Sequence, residues 1–282
     1  MTLSAARVVV NADDLGMTRE ISKGIVEAHV NGIVTSASLM VTTPWAGEGA
    51  AEAARCPEMG VGVHLTLTCG VPAASPFEVP SLVDDRGRLT GITHFIARWA
   101  AGHVKPYHLE TEFGAQIRKA MALGVRPTHL DSHHHLHLLP GILKIVLKLA
   151  ADHGIGMVRF PRQWHLRPLN VNALRNWWMR VLTLENRRSR FWSENVRSAD
   201  QLWIIFPGGR RPLWTLYRKA LEDAGEGLHE FVCHPGFTSP ELEEMDPYTR
   251  ERETELTALS HSELREVVRR RGIQLAHFGS FI

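Results

Sequence analysis

Two adjacent aspartates, Asp13 and Asp14, follow the first apolar run of the chain, in the sequence N-A-D-D-L-G at 11–16. Neighbouring carboxylates repel each other unless a cation shares them. Gly16 permits a sharp exit from the run, which could bring both side chains to one side. The pair therefore indicates either a cation-dependent catalytic site or, more simply, an aspartate that caps the helix starting near Thr18.

Five histidines and one aspartate occupy the segment 129–137, at the end of another predicted strand. Residues two positions apart on an extended chain share a face, so His133, His135 and His137 could all point one way. Imidazole and carboxylate groups together are typical ligands of a catalytic divalent ion. The segment predicts metal binding, and the pattern alone does not choose among these three histidines.

Two single histidines end other predicted strands, His64 in G-V-H at 62–64 and His234 in H-P-G at 234–236. Each is a weak signal alone, because a histidine at the end of an apolar strand is more often a buried core residue. They gain weight because the carboxyl ends of parallel strands lie on one rim. Aspartate and histidine ligands beside a spare carboxylate suit metal-assisted hydrolysis, in which that carboxylate takes a proton from water.

Short apolar runs alternate with amphipathic helical patterns along the chain. The predicted strands are Arg7–Ala12, Thr35–Val41, Gly60–Leu67, Pro127–His133, Met157–Pro161, Leu202–Pro207, Glu230–His234 and Gln274–Phe278. The predicted helices are Arg19–Val30, Trp45–Arg55, Leu109–Leu123, Pro140–His153, Leu213–Ala224 and Ser262–Arg270. Such alternation predicts an α/β fold with parallel strands, either a (β/α) barrel or a doubly wound sheet, and we expect one domain over 1–282.

Three stretches interrupt the alternation: a loop at 68–88 rich in Pro and Gly, an Arg/Trp-rich insertion at 163–192 and an acidic stretch at 235–260. All three leave from strand ends, where such folds carry their sites. We therefore expect all three near the candidate site.

The composition is that of a globular protein, with 44% hydrophobic and 22% charged residues. A formal net charge of +2 is too small to indicate a polyanionic partner. The three cysteines, Cys56, Cys69 and Cys233, are widely separated and predict neither a disulfide framework nor a cysteine metal site. With no secretory signal and no long apolar run, we expect a cytoplasmic protein.

The sequence resembles the YdjC/ChbG-like carbohydrate deacetylases over nearly its whole length. The resemblance rests on N-A-D-D-L-G at 11–16, N-G-I-V-T-S at 31–36, G-V-H at 62–64, T-H-L-D-S-H-H-H-L-H at 128–137 and H-P-G at 234–236. It implies a distorted, TIM-like (β/α) barrel that removes the acetyl group of an acetamido sugar with one divalent ion. Magnesium and zinc both suit such ligands.

The resemblance also implies roles for individual residues. Asp14, His64 and His133 correspond to the metal ligands, and Asp13 corresponds to the general base. His234 matches the family's C-terminal histidine and is the candidate for protonating the leaving amine. Three neighbouring residues are left without a role: Asp131, His135 and His137.

Within the family, the chain looks most like the hopanoid biosynthesis-associated branch, on V-R-F-P-R at 158–162 and the insertion after it. This implies an N-acetylglucosaminyl hopanoid as substrate. Between Arg159 and Trp192 there are eight arginines against one acid, with four tryptophans among them. Such a composition is typical of a helix at a membrane interface, here an anionic inner membrane face. The alternative is a solvated helical cover.

Three other functions stay open at this stage. The chain could deacetylate soluble chitooligosaccharides, or it could be a different metallohydrolase on the same scaffold, such as a phosphoesterase. It could also be a binding module whose Arg/Trp stretch recognises nucleic acid or anionic lipid. The histidine cluster with its carboxylates argues against a pure binder, so we expect no nucleic-acid partner. The sequence leaves a homodimer open.

Overall fold

The computed structural model describes residues 6–160, 163–167, 196–207 and 211–281. Within these residues, the strands are β1 Arg7–Leu15, β2 Ser36–Leu39, β3 Gly60–Leu65, β4 Leu130–Ser132, β5 Gln163–Arg167, β6 Gln201–Ile205, β7 Leu228–Cys233 and β8 Gln274–Leu275. They form one parallel sheet in the order β4-β3-β2-β1-β7-β6-β5, with β8 paired to β1.

Helices connect most of these strands. The α-helices of the described chain are Arg19–Val30, Ala46–Ala54, Ile92–Ala100, Pro106–Ala122, Ile142–Asp152, Leu213–Asp223, Pro240–Met245, Arg250–Leu259 and Ser262–Arg271, and short 3-10 helices cover His133–Leu138 and Phe278–Phe281. A parallel strand order with helical crossovers confirms the α/β class. No helix in this part of the chain has the length and apolar character needed to cross a membrane.

The strand β1 lies at the middle of the sheet and is buried on both faces. Val8, Val9, Val10 and Ala12 have no exposed surface, which is typical of a parallel strand covered on both sides. Burial of each of the three valines contributes about 1.5–3 kcal/mol. The aspartates that follow them are therefore carried by a strand that is buried on both faces.

The sheet curls into a distorted barrel, as the sequence predicts. Its end strands, β4 and β5, do not pair with each other. Instead, Val158 forms an isolated bridge with Leu130 of β4, and Met157 forms another with Arg197. The prediction of a regular strand at Met157–Pro161 is therefore wrong, because the segment forms only these bridges. Pro161 lies outside the described residues.

Two further expectations need correction. The segment 163–192 begins with strand β5 and not with an insertion, while its remainder from 168 lies outside the described residues. The stretch 235–260, expected as an interruption, contains the helices Pro240–Met245 and Arg250–Leu259. The second helix buries Arg252 and Glu255 alongside its leucines. These charged residues on the buried face hide the apolar periodicity that would have indicated a helix.

Candidate active site

The predicted site residues lie at the carboxyl ends of neighbouring strands. Asp13 and Asp14 end β1, His64 lies near the end of β3, His133 follows β4 and His234 follows β7. In the sheet these strands are close together, so the side chains converge. They line one cavity of about 350 Å³.

A local irregularity brings both aspartates to the site. The pairing of β1 with β2 shifts register between Ala12 and Leu15, and Asp14 has a positive φ of 71°. Adjacent strand residues normally point to opposite faces, and the irregularity removes that constraint. Thr18, not an aspartate, caps the following helix by accepting a hydrogen bond from the Ile21 amide. The simpler reading of the pair as a helix cap is therefore wrong.

Asp14, His64 and His133 form a compact group of potential ligands. Oδ1 of Asp14 is 3.2 Å from Nε2 of His64 and 3.1 Å from Nδ1 of His133. One ligand atom from each residue lies within 4.8 Å of the others. A buried carboxylate oxygen facing two imidazole nitrogens fits a divalent ion such as zinc, so these residues could hold one.

The protonation of this group is consistent with a cation site. The pKa of Asp14 lies well below its usual range, because Arg252 and His133 outweigh the opposing effect of burial. Burial acts to lower the pKa of His64, but Asp131 and Asp13 outweigh it and raise the pKa to about 10. A histidine must be neutral to bind a metal ion. Binding of an ion would therefore release a proton from His64.

His64 is oriented by a carboxylate on its other side. Its Nδ1–H donates to Oδ1 of Asp131 over 2.8 Å, which directs Nε2 toward Asp14. The Ser38 hydroxyl donates to Oδ2 of Asp131 over 2.9 Å. A carboxylate behind a ligating histidine is a common feature of metal sites. Asp131, which had no role from the sequence, is a candidate for positioning His64.

Arg159 is fully buried and contacts three carboxylates. Its guanidinium donates to both oxygens of Asp13 over 2.6 and 2.7 Å. It also lies 2.8 Å from Oδ2 of Asp131 and 2.6 Å from Oε1 of Glu230. Its charge, with that of His64, lowers the pKa of Asp131 against the effect of burial, whereas burial raises the pKa of Glu230 to about 7.

This arrangement bears on how many ions the site could hold. Asp13, His64 and Asp131 form a second group with ligand-like spacing. However, both of its carboxylates already pair with the Arg159 guanidinium. A second cation would have to be placed beside that buried charge, which is electrostatically unfavourable. In the group of Asp14, His64 and His133, the arginine Arg252 pairs with Oδ2 of Asp14 and leaves Oδ1 facing the two histidines, so this group fits an ion better.

His234 is supported by the Arg250–Leu259 helix. Its backbone amide donates to Oε2 of Glu255 over 2.7 Å, and its Nδ1 lies 3.7 Å from Oε1 of the same carboxylate. The Tyr248 hydroxyl also donates to Glu255. Burial acts to lower the pKa of His234, but Glu255 outweighs burial and raises it. A histidine held in its protonated form can act as a general acid.

The histidine segment after β4 does not run on as an extended chain. His134 and His135 have φ values of 57° and 56°, so the backbone turns sharply. His133 and His135 both line the cavity, whereas His137 does not. His137 instead donates from Nε2 to the Arg159 carbonyl oxygen over 2.6 Å. The expectation that all three alternate histidines share a face is therefore wrong for His137.

Sequence reasoning missed four charged residues around the site: Arg159, Glu230, Arg252 and Glu255. All four are buried. Glu230 carried a usable signal, because a charge within the apolar strand L-H-E-F-V-C must have a partner. Arg159 appeared only in the motif V-R-F-P-R at 158–162 and in the count of the basic stretch, with no role at the site. Nothing in the acidic stretch 235–260 distinguished Arg252 or Glu255 from surface charges.

The fold and site together define a class: a distorted α/β barrel whose rim carries a buried carboxylate–histidine group. The chain matches the YdjC-like protein family over residues 7–270. It therefore belongs to that family, which confirms the family-level resemblance seen in its motifs.

Individual relatives agree with this assignment. The chain is 34% identical over 274 residues to a carbohydrate deacetylase of Brevibacillus brevis, covering 96% of this chain and 98% of that protein. It is 32% identical over 273 residues to a chitooligosaccharide deacetylase of Salmonella schwarzengrund, covering 96% and 97%. A solved Enterococcus faecalis structure, described as a candidate for cellobiose-phosphate cleavage, has a TM-score of 0.78 at 29% identity and covers 99% of each chain.

Proposed function

We propose that the protein is a metal-dependent hydrolase that removes the acetyl group of an N-acetylated amino sugar, releasing acetate and the free amine. The observation that carries the proposal is the convergence of Asp14, His64 and His133 within 4.8 Å, on a cavity that Asp13 and His234 also line. Two relatives described as carbohydrate and chitooligosaccharide deacetylases support the choice of substrate class.

The residues of the chain divide the proton transfers between them. A bound divalent ion would polarise the amide carbonyl of the substrate. Asp13, held through both oxygens by Arg159, accepts a proton as the water oxygen bonds to the carbonyl carbon. His234 gives a proton to the amine nitrogen as the carbon–nitrogen bond breaks. Asp13 thus accepts the proton that the water loses, and His234 supplies the proton that the leaving amine gains.

For the substrate we propose an N-acetylglucosaminyl hopanoid, as the resemblance implies. Support comes from apolar side chains that line the same cavity as the charged residues: Ile92, Ile96, Ile204 and Phe206. An apolar aglycone would bury its surface against them, at about 25 cal/mol per Å². A soluble chitooligosaccharide has less apolar surface to offer and is the alternative substrate.

Acetate release by the purified, metal-analysed protein tests the proposal. We expect release from both N-acetylglucosaminyl lipid and soluble chitooligosaccharide, with a larger kcat/KM for the lipid and complete dependence on a divalent ion. Release from the soluble sugar alone would reject the lipid and keep the deacetylase. Turnover of phosphate esters without any acetate release would favour a phosphoesterase.

We also propose that the Arg/Trp-rich segment contacts an anionic membrane, although 168–192 lies outside the described residues. Its arginines would each contribute on the order of 1 kcal/mol beside an anionic surface. Changing Arg187, Arg188 and Arg190 to Ser should therefore weaken vesicle binding roughly a hundredfold at low salt, by about 3 kcal/mol. Equal co-sedimentation of both proteins with anionic vesicles would reject membrane contact.

A further inference from the structure

Arg252 lies on the cavity wall and is almost fully buried, with 1% of its surface exposed. It is carried by the Arg250–Leu259 helix. Its Nη2 lies 2.8 Å from Oδ2 of Asp14 and 2.6 Å from Oδ2 of Asp246. Its Nε donates to the Tyr248 carbonyl oxygen over 2.8 Å. The guanidinium is thus fixed by three separate acceptors.

The two oxygens of Asp14 consequently face different partners. Oδ1 faces the ring nitrogens of His64 and His133, at 3.2 and 3.1 Å. Oδ2 faces Arg252. An aspartate can bind an ion through one oxygen or through both. A charge-assisted hydrogen bond to a buried arginine is strong, so it competes with any second bond from Oδ2 to an ion.

We infer that Arg252 is a positioning residue that restricts Asp14 to one ligating oxygen. The coordination position that Oδ2 would otherwise take is then left for water or for the substrate carbonyl. The inference rests on the proposed function, because it requires a divalent ion at Asp14. It goes beyond the ligand assignment, because it gives a role to the Arg250–Leu259 helix.

A simpler role for Arg252 would be charge neutralisation of Asp14. The two roles make different demands on the side chain. Neutralisation needs only a buried positive charge, which lysine would keep. Positioning needs the planar fork of arginine, since one ammonium nitrogen cannot hold Tyr248, Asp246 and Asp14 in the same geometry. Arg252→Lys therefore separates the two roles.

The test is visible absorption of the protein loaded with Co²⁺, whose absorption weakens as its coordination number rises toward six. In Arg252→Met and Arg252→Lys, Oδ2 is released toward the ion, so we expect weaker absorption than in the wild type at equal Co²⁺ content. We expect kcat to fall about 10- to 100-fold in both, with a smaller change in KM.

Arg250→Met is the matched control, because Arg250 begins the same helix and is exposed. It removes the same charge, and we expect the wild-type spectrum and rate. Asp246→Asn is a milder second variant, since it weakens one anchor of Arg252 and keeps its size. It should shift the absorption in the same direction by a smaller amount. If Arg252→Met fails to fold, Asp246→Asn and Arg252→Lys together test the positioning role.

The outcomes separate this inference from the proposed function. A wild-type spectrum in Arg252→Lys, or in Arg252→Met, would overturn positioning even if acetate release were confirmed. A wild type that binds no Co²⁺ and releases no acetate would reject the proposed function, and the inference would be rejected with it. A change in both variants with an unchanged Arg250→Met supports Arg252 as the positioning residue.

Discussion

Two arginines hold the adjacent aspartates of β1, and they hold them differently. Arg159, in the barrel interior, pairs with both oxygens of Asp13 over 2.6 and 2.7 Å. Arg252, on the Arg250–Leu259 helix, pairs with only one oxygen of Asp14, Oδ2, over 2.8 Å. Asp13 is thus fixed along its whole carboxylate edge, while Asp14 keeps Oδ1 facing His64. Neighbouring residues of one type can acquire separate roles from the cations placed beside them.

The largest effect should follow removal of a ligand on the Asp14 side. Replacing Asp14, His64 or His133 with Ala should each strip the divalent ion and reduce acetate release below detection, because the site then has only two protein ligands. Metal content of the purified variants and acetate release are the measurements. The ligand assignment would be wrong if all three variants retained stoichiometric metal.

A smaller effect is expected on the Asp13 side, and it should leave the metal in place. Asp13→Asn keeps the shape but cannot accept the proton from water, so we expect normal metal content and a rate lower by roughly 100-fold or more. Metal analysis and single-turnover acetate release measure the two properties separately. A near-normal rate would move the base elsewhere, with Asp131 as the first residue to test.

The sequence predicted the candidate residues at the ends of β1, β3, β4 and β7 because each is a polar group at the end of an apolar strand. Five of them, Asp13, Asp14, His64, His133 and His234, do line one cavity. The α/β class and most strands and helices were predicted for the same reason, since apolar periodicity reflects burial.

The cations that distinguish the two aspartates could not be predicted in this way. Arg252 is far from Asp14 in sequence, and no local pattern reports a contact that arises only in the folded chain. The turn at His134 and His135 was equally hidden, because no glycine or proline within 129–137 signals a change of direction. The residue roles taken from the family resemblance remain predictions for the variants above.

Glu230, like Asp13, pairs with the buried Arg159 guanidinium. Its pKa is raised by burial from the usual 4.5 to about 7. Below pH 4.5 it is protonated in both the folded and the unfolded chain, while above about pH 7 its charge must be buried. The wild type should therefore lose about 3 kcal/mol of stability across this window that Glu230→Gln does not lose.

Urea unfolding of both proteins at pH 5 and pH 8 measures this difference. Other titrating groups are common to the two proteins, so the change in the free energy of unfolding between them isolates Glu230. A constant difference across pH would show that the carboxylate is ionised throughout, with Arg159 stabilising its charge fully.

The smallest expected effect on the rate follows substitution of Glu255. The Arg250–Leu259 helix places this residue beside His234. If His234 gives its proton to the leaving amine, activity should fall as pH rises through its pKa. Glu255 raises that pKa, so Glu255→Gln should shift the alkaline limb of the kcat profile to lower pH and reduce kcat roughly 10-fold near neutral pH. Glu253→Gln is the control, since Glu253 is an exposed residue on the same helix. An alkaline limb that stays in place in Glu255→Gln would remove His234 from the role of acid, and the helix would then act on Asp14 alone.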